Sequence, residues 1–120
     1  MRLKNSKMWG AFAAIAFLAC ASVPKPTDQV AQSEGAMRSA RELGAEQVPP
    51  AALELQLAKE ELGKADQLMK DDKNEDATQW ANRARADAEL AIALTRQHQA
   101  NADARSAEEQ LRAVQDNRAQ

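Results

Sequence analysis

"EDATQWANRARADAELAIALTRQHQANADARSAEEQLRAVQD", residues 75–116, runs without a glycine or a proline. Alanine, arginine, glutamate and glutamine dominate it, and these rank high in helix propensity. With no breaker inside, the stretch predicts one helix. At 1.5 Å per residue such a helix extends on the order of 60 Å, too long for one small globule to cover. The fold class follows: all-α, built around a helix that outruns its core. Two stripes run along it. Ala77, Trp80, Ala81, Ala84, Ala88, Ala91 and Thr95 form the first, which is expected to dock on a neighbouring helix. Ala86, Leu90, Ala93, Gln97, Ala100, Ala104, Ala107, Leu111 and Val114 form the second, in four-three steps, and it continues where the first fades. That spacing is coiled-coil-like and marks Leu90, Ala93, Ala100, Ala104, Ala107, Leu111 and Val114 as a seam for a second copy or another protein. The same stretch also fits an exposed helix steadied by the pairs Arg83–Asp87 and Arg85–Glu89, each worth about 0.2–0.5 kcal/mol.

Upstream, "KDDKNED" (residues 70–76) breaks the pattern; Asp72 with Glu75 fits a capping box, and Asn74 is an alternative cap. Before it, Ala51, Leu55, Ala58, Leu62, Ala65 and Met69 recur at steps of four and three, with Leu53, Leu57 and Leu68 broadening the face. Pro50 suits the first turn of this helix, which is expected over 51–70. Paired with the helix at 75–116 it makes an Ala-rich antiparallel hairpin whose core is expected at Leu55, Leu62, Met69, Trp80, Ala84 and Ala88. A short N-terminal helix over 28–43, capped by Thr27 or Asp28 and stopped by Gly44, completes a helical domain spanning 28–118. Its stripe (Val30, Met37, Ala40, Leu43) is thin and Gly35 weakens it, so it is expected to be the least stable helix and loosely docked. Beyond Cys20 there are 22 alanines against 17 large apolar residues, so the core gains little from burial but lets helices approach closely.

The first residues read differently. "MRLKNSK" is basic, and "MWGAFAAIAFL" is an apolar run of eleven residues, short of the roughly 20 that span a bilayer and matched to an export signal. "FLAC" resembles the bacterial lipoprotein box, formed here by Phe17, Leu18 and Ala19 before the only cysteine, Cys20. That reading makes 1–19 a signal peptide and 20–27 a lipidated cysteine with a proline-containing tether, whose Pro24 and Pro26 favour extended backbone. The expected covalent group is a diacylglycerol with acyl chains on Cys20; no other cofactor is expected. Ala19-Cys20-Ala21 is also an A-x-A site, and cleavage after Ala21 would release a soluble periplasmic protein. By analogy with bacterial lipoproteins, Ala21 and Ser22 rather than aspartate after the cysteine imply outer-membrane delivery, on the periplasmic face.

Once three basic residues of the signal are set aside, 13 basic face 18 acidic residues, a net charge of −5. No basic stripe is present, so nucleic acid is not an expected partner. His98 is the sole histidine, and neither Asn101 nor Asp103 nearby completes a ligand cluster, so no metal site is expected. Asp71/Asp72 and Glu108/Glu109 read as a helix end and a solvated face, not as convergent catalytic carboxylates. Neither catalysis nor a small-molecule substrate is expected.

The segment "LQLAKEELGKADQLMKDDKNEDATQWANRARADAELAIALTRQHQA" (residues 55–100), with its apolar-alanine helix, Asp-rich turn and "ADAELA", resembles the family called domain of unknown function 4398. The resemblance covers about Gln29 to Ala104 and implies a small Gram-negative envelope lipoprotein, without implying an activity. The expected function is therefore a structural or adaptor module of the cell envelope, anchored through Cys20 and engaging an envelope protein or itself through the third helix. The alternative is a regulatory binder of a cell-wall enzyme or periplasmic protease.

Overall fold

A computed structural model describes residues 22–119. The signal segment, the lipoprotein-box residues Phe17, Leu18 and Ala19, and Cys20 lie outside the described residues. Three α-helices follow one another: α1 (Thr27–Glu42), α2 (Pro49–Lys70) and α3 (Asn74–Arg118). A single 3-10 turn, Ala45–Gln47, joins α1 to α2. The described residues are all-α, with an antiparallel α2–α3 hairpin, a short α1 and a long C-terminal helix.

The chain ends each helix by backbone conformation more than by side-chain caps. α1 stops at Gly44, whose φ of +88° is left-handed and whose N–H donates to Arg41 O at 2.9 Å. A Cβ there would meet Gln47 Oε1 at 3.0 Å, so glycine suits the turn twice over. Pro49 and Pro50 open α2, where the missing N–H groups would have had no helical partner. At the other end Asp72 takes a left-handed φ of 56°. Lys73 N–H donates to Leu68 O and Asp72 N–H to Met69 O, the pair of bonds that closes a Schellman turn.

That geometry corrects the expected caps. Asp72 is consumed in ending α2, so the Asp72–Glu75 capping box does not form; the residue preceding α3 is Lys73, with no side-chain cap. Asn74, the alternative cap, instead turns its amide to the incoming chain. Neither Thr27 nor Asp28 caps α1, which Pro26 precedes. Glu75 and Asp76 still place negative charge in the first turn of α3, where the helix dipole favours it.

The core is a floor of small residues on α3. Ala77, Ala81, Ala84, Ala88, Ala91 and Thr95 are its buried residues, the first expected stripe with Trp80 left half-buried at its edge. α2 lays Ala51, Leu55, Ala58, Leu62 and Ala65 on that floor, while Leu68 and Met69 are half-buried. Leu53 and Leu57 point to solvent, because a two-helix contact this narrow has no room for a broader face.

α1 departs most from expectation. It is firmly seated, and it packs mainly on α3. Met37, Ala40 and Ser33 are buried. The Ser33 hydroxyl lies 2.6 Å from Ala81 O and 2.8 Å from Gln29 O, a contact with backbone that only small residues at the crossing permit. Arg85 donates to Gln32 at 2.9 Å, and the Gln99 amide donates to Leu43 O at 3.1 Å, satisfying a carbonyl at the end of α1. A serine thus anchors the helix whose apolar stripe looked too thin.

Candidate functional site

Three places carry features beyond packing. The first is the end of the hairpin where the chain enters. Ser22 to Pro26 lies against the α2–α3 turn: Asn74 Nδ2 donates to Val23 O at 2.8 Å, and Pro26 is buried. A shallow groove at this end is lined by Val23, Lys25, Asp72, Asn74 and Asp76 among others. The described part of the expected proline-containing tether, residues 22–26, is therefore pinned to the hairpin.

The second is the free half of α3. Every residue from Arg96 to Ala119 is exposed. Gln99, through Leu43, is the last α3 residue to hydrogen-bond another helix, and about 29 Å of helix projects beyond it at 1.5 Å per residue. The expected seam residues Leu90, Ala93, Ala100, Ala104, Ala107, Leu111 and Val114 are all exposed. Leu111 is 59% and Val114 49% accessible, values that leave large apolar side chains in water. Ala93 stands two residues from buried Ala91, about 200° around the helix. The stripe consequently faces away from both α1 and α2, and nothing described here covers it.

The third was not singled out by sequence reasoning. Glu61 on α2 has a side chain only 8% exposed, facing α3. Arg83 Nε lies 3.1 Å from its Oε1, while Oε2 is buried without a hydrogen-bond partner. Burial, followed by the neighbouring Asp87 carboxylate within hydrogen-bonding reach, raises the Glu61 carboxyl above its ordinary range; Arg83 and Lys64 oppose the shift. Arg83 was expected to pair with Asp87 on its own helix, and it reaches across to Glu61 instead, drawn by the less hydrated carboxylate. Arg85 and Glu89 do approach, at 3.7 Å. Trp80 closes this side, with Lys64 Nζ 4.3 Å and Arg83 Cζ 4.8 Å from its ring centroid. The spacing Ala58, Glu61, Leu62, Ala65 was the available signal: steps of three, one and three place Glu61 on the edge of the buried stripe.

The remaining expected core residues Leu55, Leu62, Ala84 and Ala88 are buried, and Met69 and Trp80 are half-buried. His98 is exposed on α3, as are Asn101 and Asp103. Among the described residues there is no group of three or more His, Cys, Asp or Glu side chains able to hold a metal ion. No helix among them is long and apolar enough to cross a membrane.

Together these features define a class: an all-α protein made of a helical hairpin, a short helix docked on it, and a long arm with an uncovered small-residue stripe. A family profile described as "Domain of unknown function (DUF4398)" matches residues 28–107, two thirds of the chain, and the protein belongs to that family. The match takes in all of the packed core and part of the arm. No curated protein matches the chain, and no solved structure does.

Proposed function

We propose that the protein is a lipoprotein of the bacterial envelope, held at the periplasmic face of the outer membrane by acyl chains on Cys20, and that it serves as a structural or adaptor module without a catalytic step. One observation carries the reading: the entering chain and the exposed stripe lie at opposite ends of α3. Val23 is pinned beside Asn74, the first residue of α3, and stands only three positions after Cys20. Three residues extend at most about 10 Å, so a lipid on Cys20 brings the α2–α3 turn close to the bilayer. α3 then carries its far end up to about 67 Å from that turn, at 1.5 Å per residue over its 45 residues. Such a shape holds a binding helix at a set distance from a membrane surface. Several acyl chains on one cysteine anchor firmly, whereas one holds only marginally.

The test is the intact mass of the mature protein extracted from membranes. A mass starting at Cys20 and carrying acyl chains supports the anchor. A mass starting at Ser22, from protein found in the soluble periplasmic fraction, removes it.

A further inference from the structure

The hairpin seam holds a buried carboxylate with an unmet bond. The Glu61 side chain on α2 is only 8% exposed, and its two oxygens differ: Oε1 takes Arg83 Nε at 3.1 Å, while Oε2 has no hydrogen-bond partner. The carboxyl that faces it is Asp87 of α3, close enough for a hydrogen bond. Two ionised carboxylates offer only acceptors, so the bond that the geometry allows does not form while both are charged. A buried oxygen left in that position is costly. One proton on Oε2 turns Glu61 into a donor and completes a contact from α2 to α3.

Arg83 has two partners within its range. It reaches across to Glu61, and Asp87 lies four residues further along its own helix, a spacing at which arginine and aspartate meet. The Arg83 side chain is 65% exposed, which leaves it room to swing from one to the other. Lys64, on α2, is the other cation that acts on Glu61. Arg85 stands about 200° round α3 from Arg83 and bonds Gln32, so α1 covers the opposite flank and brings no charged group to this one.

We propose that Glu61, Asp87 and Arg83 form a proton-operated latch across the hairpin: at neutral pH Arg83 ties α3 to Glu61, and in acid Glu61 takes one proton from solvent, donates a hydrogen bond to Asp87 and releases Arg83 to pair with Asp87. The proton stays on Glu61 Oε2, and the three groups pass from a net charge of −1 to zero. Burial and the Asp87 charge favour the protonated form, and the raised Glu61 carboxyl reflects both; Arg83 and Lys64 oppose it. The added stability is full below the ordinary glutamate range and is lost as pH rises through the raised value. Acid therefore tightens the clamp from which the free half of α3 projects, opposite to the usual response of paired carboxylates.

An NMR pH titration of the mature chain isolated from cells, labelled with carbon-13 and nitrogen-15, follows the Glu61 carboxyl carbon and the Arg83 Nε–H together. The expected result is one shared midpoint, above that of the main group of carboxyl signals. Asp87→Asn lowers the Glu61 midpoint, Arg83→Gln raises it, and Glu61→Gln abolishes the Arg83 transition, with helical circular dichroism at the wild-type level in each variant. An Arg83 signal that does not follow Glu61 overturns the exchange of partners. A Glu61 midpoint untouched by Asp87→Asn overturns the shared proton and leaves burial as the sole cause. Loss of helix on acidification before Glu61 titrates overturns the tightening. The latch uses the packed hairpin alone, so its result stands whether or not Cys20 carries lipid, and the two readings fail separately.

Discussion

Replacing Glu61 by glutamine tests whether burial or the ion pair governs the hairpin seam. The side chain is 8% exposed, its Oε2 has no partner, and its charged partner Arg83 is 65% exposed. An ion pair with so exposed a partner contributes about 0.2–1 kcal/mol. Leaving a buried oxygen unsatisfied costs about 1–3 kcal/mol, and glutamine can add an N–H donor toward Asp87, worth about 0.5–1.5 kcal/mol. The balance favours Glu61→Gln by roughly 2 kcal/mol at neutral pH, within about 0.5–4, once the lost ion pair is subtracted. For a domain of this size each kilocalorie moves the melting temperature by about 4–8 °C. The pH dependence gives a second handle. Because the folded carboxyl titrates above its ordinary value of 4.5, the stability of the protonated form is fully present below that value and is lost as pH rises through the raised one. Acidification therefore strengthens the wild type relative to the variant, and the gap between them closes as pH falls toward 4.5. Thermal unfolding of both chains from acid to neutral pH reads the difference directly. A variant that is less stable at neutral pH, by a margin that pH does not change, would show that the Arg83 pair outweighs desolvation and would refute the reasoning.

Three further changes probe the packing. Ala88→Leu adds three carbons to a fully buried position of α3 and should destabilise by about 1–3 kcal/mol through overpacking, read by urea unfolding. Gly35→Ala should stabilise by about 0.5–1 kcal/mol, since a Cβ there meets nothing within 4 Å and the residue lies inside α1; an unchanged melting temperature would count against a well-formed helix. Asn74→Ala removes the donor to Val23 O and should cost about 0.5–1.5 kcal/mol in the same unfolding measurement, whereas a silent change would mean that the entering segment is not held there.

Much of this architecture was readable because alanine carries its own register. Along α3 the buried positions Ala77, Ala81, Ala84, Ala88, Ala91 and Thr95 are spaced as the first stripe required, while the overlapping second stripe at Ala86, Leu90 and Ala93 stays exposed. On α2, Leu53 and Leu57 misled: leucine is counted as core by pattern, yet a narrow hairpin leaves both in water. The caps were misread for a related reason. Asp72 has the side chain of a cap, but the turn needed a residue that tolerates a left-handed backbone, and aspartate supplies that too. Ser33 and Glu61 escaped notice because pattern reading scores polar residues as outward. Both sit on buried spacing, and both stay inside because a neighbour answers them: the Ala81 carbonyl for Ser33, the Arg83 guanidinium for Glu61. The second stripe was legible as a pattern, but that α1 and α2 both leave it uncovered emerges only from the packing, which exposes every residue from Arg96 to Ala119.

The arm also raises the question of why a helix with nothing packed against it should stay helical. An isolated helix must nucleate its first turn at a cost. Here the nucleus already exists: α3 is locked against α1 and α2 as far as Thr95, and Gln99 ties it once more to the end of α1. Residues beyond Gln99 need only propagate, and their alanine, arginine, glutamine and glutamate content makes each step close to neutral or favourable. The core therefore works on the arm without touching most of it.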